Sequence, residues 1–143
     1  MDPDRAAQLT ADWVERHVTV EPPSPDATEA VAGALALVPD PEAAAAITVA
    51  DGHPRIAALA GGALYLVWAI RGSAGVREAA RCRRIPLQPA TTSVELSERR
   101  DPGAVVRHWW FEVEEDPLVF RTTGDDEPER FARALARALG WPH

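Results

Sequence analysis

The chain has 143 residues, 46% of them apolar and 26% charged, and a formal net charge of −7. That length suffices for one domain with its own core, and the acidity excludes a nucleic-acid partner, whose phosphates need clustered positive charge. The single cysteine, Cys82, excludes an internal disulfide and a multi-cysteine zinc site, and fits a reducing, cytoplasmic compartment.

The charge is uneven along the chain. Residues 1–50 hold nine acids and two Arg, whereas residues 51–143 hold 13 of each. The first residues, MDPDRAAQLTADWVERH, lack the basic start and apolar run of a signal peptide. Asp2-Pro3 reads as a helix cap followed by proline in the first turn, and Ala6, Leu9, Trp13 and Val14 recur at helical spacing. The prolines of VTVEPPSP then break the chain, Ser24-Pro25 caps a second helix, and Val31, Leu35 and Val38 mark its apolar face. EAAAA, residues 42–46, reads as one more turn of helix. Residues 1–46 thus form a helical N-terminal extension, and 47–143 the main domain.

From Ile47 the period shortens to two. The apolar run IAALAGGALYLVWAI has 15 residues, fewer than the ~20 of a spanning helix. Gly61-Gly62 divides it into two strands, so no membrane insertion is expected. RCRRIPL, TSVELSE, VVRHWWFEV and LVFRTT follow as strands, the last two separated by the acidic turn EEDP. Within VVRHWWFEV, Val105, Trp109, Phe111 and Val113 share one face, and Val106, His108, Trp110 and Glu112 the other. The prediction is an α+β fold, with N-terminal helices followed by a small antiparallel β-barrel or bent sheet and a closing C-terminal helix.

That last helix begins in an acidic knot, Asp125-Asp126-Glu127-Pro128-Glu129. Asp126 has the position of an N-cap, Glu129 the spacing of a reciprocal capping box, and Pro128 a place in the first turn. Phe131, Leu135, Ala138 and Leu139 form the apolar stripe, and Gly140 the C-terminal cap. Capping accounts for all these acids without a metal.

Four segments resemble the pleckstrin-homology (PH) superfold in its bacterial PH-like form. They are ALYLVWAI, RCRRIPL, HWWFEV, and PLVFRTT with the terminal FARALARALGW helix, together spanning about residues 47–141. All 15 basic residues are Arg, a bias that fits a GC-rich bacterial genome. The resemblance implies a scaffold that binds proteins, peptides or lipids and has no intrinsic catalysis. The basic loop RGSAGVREAARCRR lacks Lys and contains Glu78, which speaks against inositide binding.

No catalytic signature is present. His17, His53, His108 and His143 show no metal-binding spacing, Cys82 has no partner base and reads as a small inward-facing strand residue, and no cofactor fingerprint occurs. Two features point to a protein partner. Eight Arg stand against four acids between residues 71 and 107. Trp109 and Trp110 are adjacent, so they point to opposite faces and one must be covered from outside the core. The N-terminal helices, a partner protein or a second copy could supply that cover. The candidate contact residues are Trp110, His108, Arg83, Arg99 and Arg107. The expected function is a non-catalytic adaptor or scaffold module. Two alternatives stand beside it: a helix-grip carrier or enzyme with a small-molecule cavity, and an acidic inhibitor of a basic partner.

Overall fold

The computed structural model describes residues 1–70, 79–88, 92–113 and 117–141. The loop RGSAGVRE, the acids of EEDP and His143 lie outside the described residues. The elements run α1 (Pro3–Glu15), α2 (Pro25–Ala36), β1 (Ala43–Thr48), β2 (Pro54–Ala60), β3 (Ala63–Ile70), β4 (Ala79–Pro86), β5 (Ser93–Asp101), β6 (Ala104–Glu112), β7 (Leu118–Thr123) and α3 (Glu127–Ala138).

Each helix starts where the sequence places a cap. Asp2 accepts from the Arg5 amide at 3.3 Å, Ser24 from Ala27 at 3.1 Å and Asp126 from Glu129 at 2.8 Å. The pair Gly61 and Gly62, with φ of 56° and 73°, forms the tight turn between β2 and β3. Two successive residues in the left-handed region suit glycine and match the twist of the strands they join.

The strands form two antiparallel sheets, ordered β1-β2-β3-β4 and β5-β6-β7. Among the described residues a single bridge, Val49 to Phe120, links the edge of the first to that of the second. The sheets do not close into a barrel; of the two forms expected, the bent sheet is the one present. α3 lies in the bend. Phe131, Leu135 and Leu139 pack there against Ile47, Leu59, Leu64, Trp109, Phe111 and Phe120. Ala132 and Ala136 are buried, while Ala138, expected in the stripe, is exposed. The α3 stripe is therefore displaced by part of a turn from the one read in the sequence.

The helices α1 and α2 cover the opposite face of the first sheet. Leu9, Trp13, Val31 and Leu35 meet Ala44, Ala46, Ile56, Ala58 and Val67 in a second core. The Trp13 indole N–H donates to the Pro54 carbonyl at 3.0 Å, which fixes α1 over the start of β2.

Residues 42–46 therefore need a correction. They are not a helical turn: Ala43 to Thr48 pair residue by residue with Leu59 to Pro54. Alanine prefers helix in isolation, but burial on both sides of the sheet decides the outcome. Ala44 and Ala46 lie under α1 and α2, and Ala45 under α3, all less than 5% exposed. A methyl side chain lets helices approach β1 from both faces. The 46/47 boundary between extension and main domain falls inside this strand.

Candidate interaction face

The second sheet has an inner and an outer face, set by alternation along its strands. On β6, Trp109 and Phe111 point inward at 1% and 0% exposure, while Trp110 points outward at 39%. This is the orientation the sequence predicts. Of its three expected covers, the N-terminal helices are not the one found. α1 and α2 pack on the first sheet, and Trp110 shares the outer face with exposed residues of β5 and β7.

Cross-strand register builds this face in rows. Glu95, Trp110 and Val119 form one row, Ser97, His108 and Arg121 the next, and Arg99, Val106 and Thr123 the third. Ser93 and Glu112 pair beyond the Trp110 row. Acids thus occupy one end, through Glu95 and Glu112, and bases predominate at the other, through His108, Arg121 and Arg99, with Asp101 beyond them. Trp110 stands at the boundary, with its indole N–H donating to Glu112 at 3.2 Å. Among the described residues Arg99 is held by a surface pair with Asp101 at 3.2 Å, its side chain 63% exposed. Such a pair contributes about 0–1 kcal/mol and leaves the guanidinium available.

Of the five candidate residues, the structure brings together Trp110, His108 and Arg99. Arg83 lies on β4 in the other sheet, opposite Leu66. Arg107 belongs to the inner face. Its Nε donates to Glu98 at 3.0 Å, and its Nη1 donates to Glu129 at 3.0 Å and to the Gly124 carbonyl at 3.3 Å. Arg107 therefore ties β5, β6 and the start of α3 together and is not part of a free cationic surface.

Glu129 is the group the sequence reading misplaced. Its backbone N–H does bond the Asp126 cap, but its carboxylate does not return the bond as a capping box would. It turns into the core, where the residue is 0% exposed. Trp109 and Thr122 donate to Oε1 at 2.9 and 2.7 Å, and Arg107 and Arg133 donate to Oε2. Burial alone would push its carboxyl up. The hydrogen bonds from Thr122, Trp109 and Arg133 and the charge of Arg107 outweigh burial and hold it below the usual carboxylate range. The sequence carried a signal for this: alternation puts Arg107 on the same face as Trp109 and Phe111, and an inward arginine requires a buried acid.

Cys82, expected to face inward, is exposed on edge strand β4. Desolvation holds its thiol above the ordinary value, away from the reactive thiolate, despite the flanking Arg81 and Arg83. Among the described residues no cluster of three or more His, Cys, Asp or Glu is arranged to hold a metal, and no helix is long and apolar enough to cross a membrane. Comparison with protein-family models, with curated proteins and with solved structures gives no match to this chain.

Proposed function

We propose that the chain is a non-catalytic protein-interaction module, working in the bacterial cytoplasm, whose contact surface is the outer face of β5-β6-β7. The observation that carries this reading is Trp110, a large indole 39% exposed at the boundary between an acidic and a basic half of one sheet face. Trp and Arg anchors ringed by polar residues are the composition of energetic centres in protein interfaces. The resemblance of residues 47–141 to PH-like scaffolds supports the same reading.

The charge order of the face specifies the occupant. Consider a second copy turned end for end about an axis running between the Trp110 and His108 rows. Each Trp110 then lies over the other copy's His108, and each Glu95–Glu112 end over an Arg99–Arg121 end. The surface is complementary to itself, the requirement of a twofold contact. Three strands at ~4.8 Å spacing and seven residues at ~3.4 Å give roughly 300–400 Å² per copy. That is about half of the ~800 Å² per partner of a standard interface. The contact belongs to the weak, concentration-dependent class, a module that assembles when crowded together.

Light scattering across a concentration series tests this. The wild-type chain should move from monomer toward dimer as concentration rises, more readily at ~0.05 M than at ~0.5 M salt, because the end-to-end charge contacts are screened. Trp110→Ala should stay monomeric with an unchanged melting temperature. A wild-type chain that is monomeric at millimolar concentration in low salt would remove the second copy as the occupant.

A further inference from the structure

At the end of the first sheet away from the Gly61-Gly62 turn, the α1–α2 linker, the β1–β2 turn and the last residues of β3 enclose a cleft of about 490 Å³. This is within the ~300–1,000 Å³ of small-ligand sites. One wall is apolar and stiff, built from Trp13, Pro22, Pro23, Pro54 and Ile70. The other wall carries two arginines placed by strand register. Trp68 pairs directly with Arg81, and the alignment of Ile56 with Val67 sets Arg55 beside Trp68 on the other side. The Arg55 guanidinium lies over the Trp68 ring at 4.4 Å.

Neither arginine of the cleft has a hydrogen-bond or ion-pair partner among the described residues. Arg55 Nε is buried and has no hydrogen-bond partner. Neither Arg55 nor Arg81 enters an ion pair among the described residues, where the paired arginines are at other positions. The acids of the cleft are already engaged. Asp51 accepts from the His53 amide at 2.9 Å, and Glu21 has a partner of its own. A chain with a net charge of −7 that leaves two cations unpaired in one cleft has donor capacity there for an external anion. Stacking on Trp68 holds the Arg55 plane in place, and a planar fork presented this way matches a carboxylate.

We infer that this cleft binds a small aromatic carboxylate, with its ring against the tryptophan–proline wall and its carboxylate between Arg55 and Arg81. The site is separate from the outer face of the second sheet, and neither reading depends on the other.

The probes are 2-naphthoate, its neutral analogue 2-naphthamide, and inorganic phosphate, titrated into the full chain by calorimetry and tryptophan fluorescence. Naphthoate should bind saturably and quench fluorescence, and naphthamide should bind at least tenfold more weakly because it cannot form charge-assisted bonds to the two forks. Phosphate should also bind at least tenfold more weakly, for want of the ring. Arg81→Gln, on an exposed strand position, should weaken naphthoate tenfold or more at unchanged melting temperature, and Arg55→Gln should do the same. Trp110→Ala should leave naphthoate affinity unchanged. Equal affinity for acid and amide, phosphate binding as tight as naphthoate, an Arg81→Gln protein that binds like wild type, or no saturable naphthoate binding would each overturn the inference.

Discussion

The indole N–H of Trp109, on β6, donates a 2.9 Å hydrogen bond to Oε1 of Glu129, in the first turn of α3. Both residues are almost fully buried, at 1% and 0% exposure. This bond, with those from Thr122, Arg107 and Arg133, makes the carboxylate the junction between the second sheet and the closing helix. Replacing Glu129 with Ala leaves the Trp109 indole and the Thr122 hydroxyl without their acceptor inside the fold, and removes the charge that Arg107 and Arg133 share. Removing one member of a buried, hydrogen-bonded pair costs about 3–5 kcal/mol. Urea unfolding of Glu129→Ala should show a loss in that range. A loss under ~1 kcal/mol would mean water replaces the carboxylate and the junction is dispensable.

The same carboxylate gives stability a pH dependence. Its pKa in the fold lies below the ordinary value of 4.5. A group depressed in this way stabilises the fold above its unfolded pKa and loses that contribution as pH falls through the folded one. The stability difference between wild type and Glu129→Gln should therefore be constant near neutrality and shrink on acidification below about pH 4.5. A difference that stays constant down to pH 3 would show that the carboxylate titrates alike in folded and unfolded chains.

Asp126 has the simpler task of capping. It accepts from the Glu129 amide at 2.8 Å and from the Thr123 amide at 3.3 Å. Asp126→Ala should cost about 1 kcal/mol in urea unfolding. Calorimetric titration with divalent ions should give the same trace before and after the change. Micromolar binding that disappears in the variant would show that the acidic knot holds an ion.

The acids at the start of α3 show how far the sequence could be read. Asp126 was legible because a cap depends on local spacing alone. Glu129 was not, because its partners Trp109, Thr122 and Arg107 are 20, 7 and 22 residues away in sequence and meet it only once the second sheet folds against α3. The alternation along β6 correctly put Trp109 inside and Trp110 outside, and the glycine pair marked the β2–β3 turn. The alanines of β1 misled, since local propensity favours helix where two flanking helices impose a strand. The Arg55–Trp68–Arg81 row was hidden for a related reason: it exists only across the registers of three strands.

Ala45 is fully buried between the first sheet and α3. Ala45→Leu inserts three heavy atoms where α3 already touches the sheet, and overpacking of this kind costs about 1–3 kcal/mol. The melting temperature should drop accordingly. An unchanged or raised value would reveal slack beneath α3 that the larger side chain fills.

The contact between two copies rests on opposite charges at the ends of one face, and a charge exchange tests it most directly. In the double variant Glu95→Arg/Glu112→Arg, both ends of the face become basic; in Arg99→Glu/Arg121→Glu, both become acidic. Each variant alone should be monomeric in sedimentation velocity at a concentration where wild type dimerises in low salt. An equimolar mixture should dimerise again, because the basic ends of one variant then meet the acidic ends of the other. Variants that dimerise as well as wild type, or a mixture that stays monomeric, would contradict the outer face of β5-β6-β7 as the docking surface.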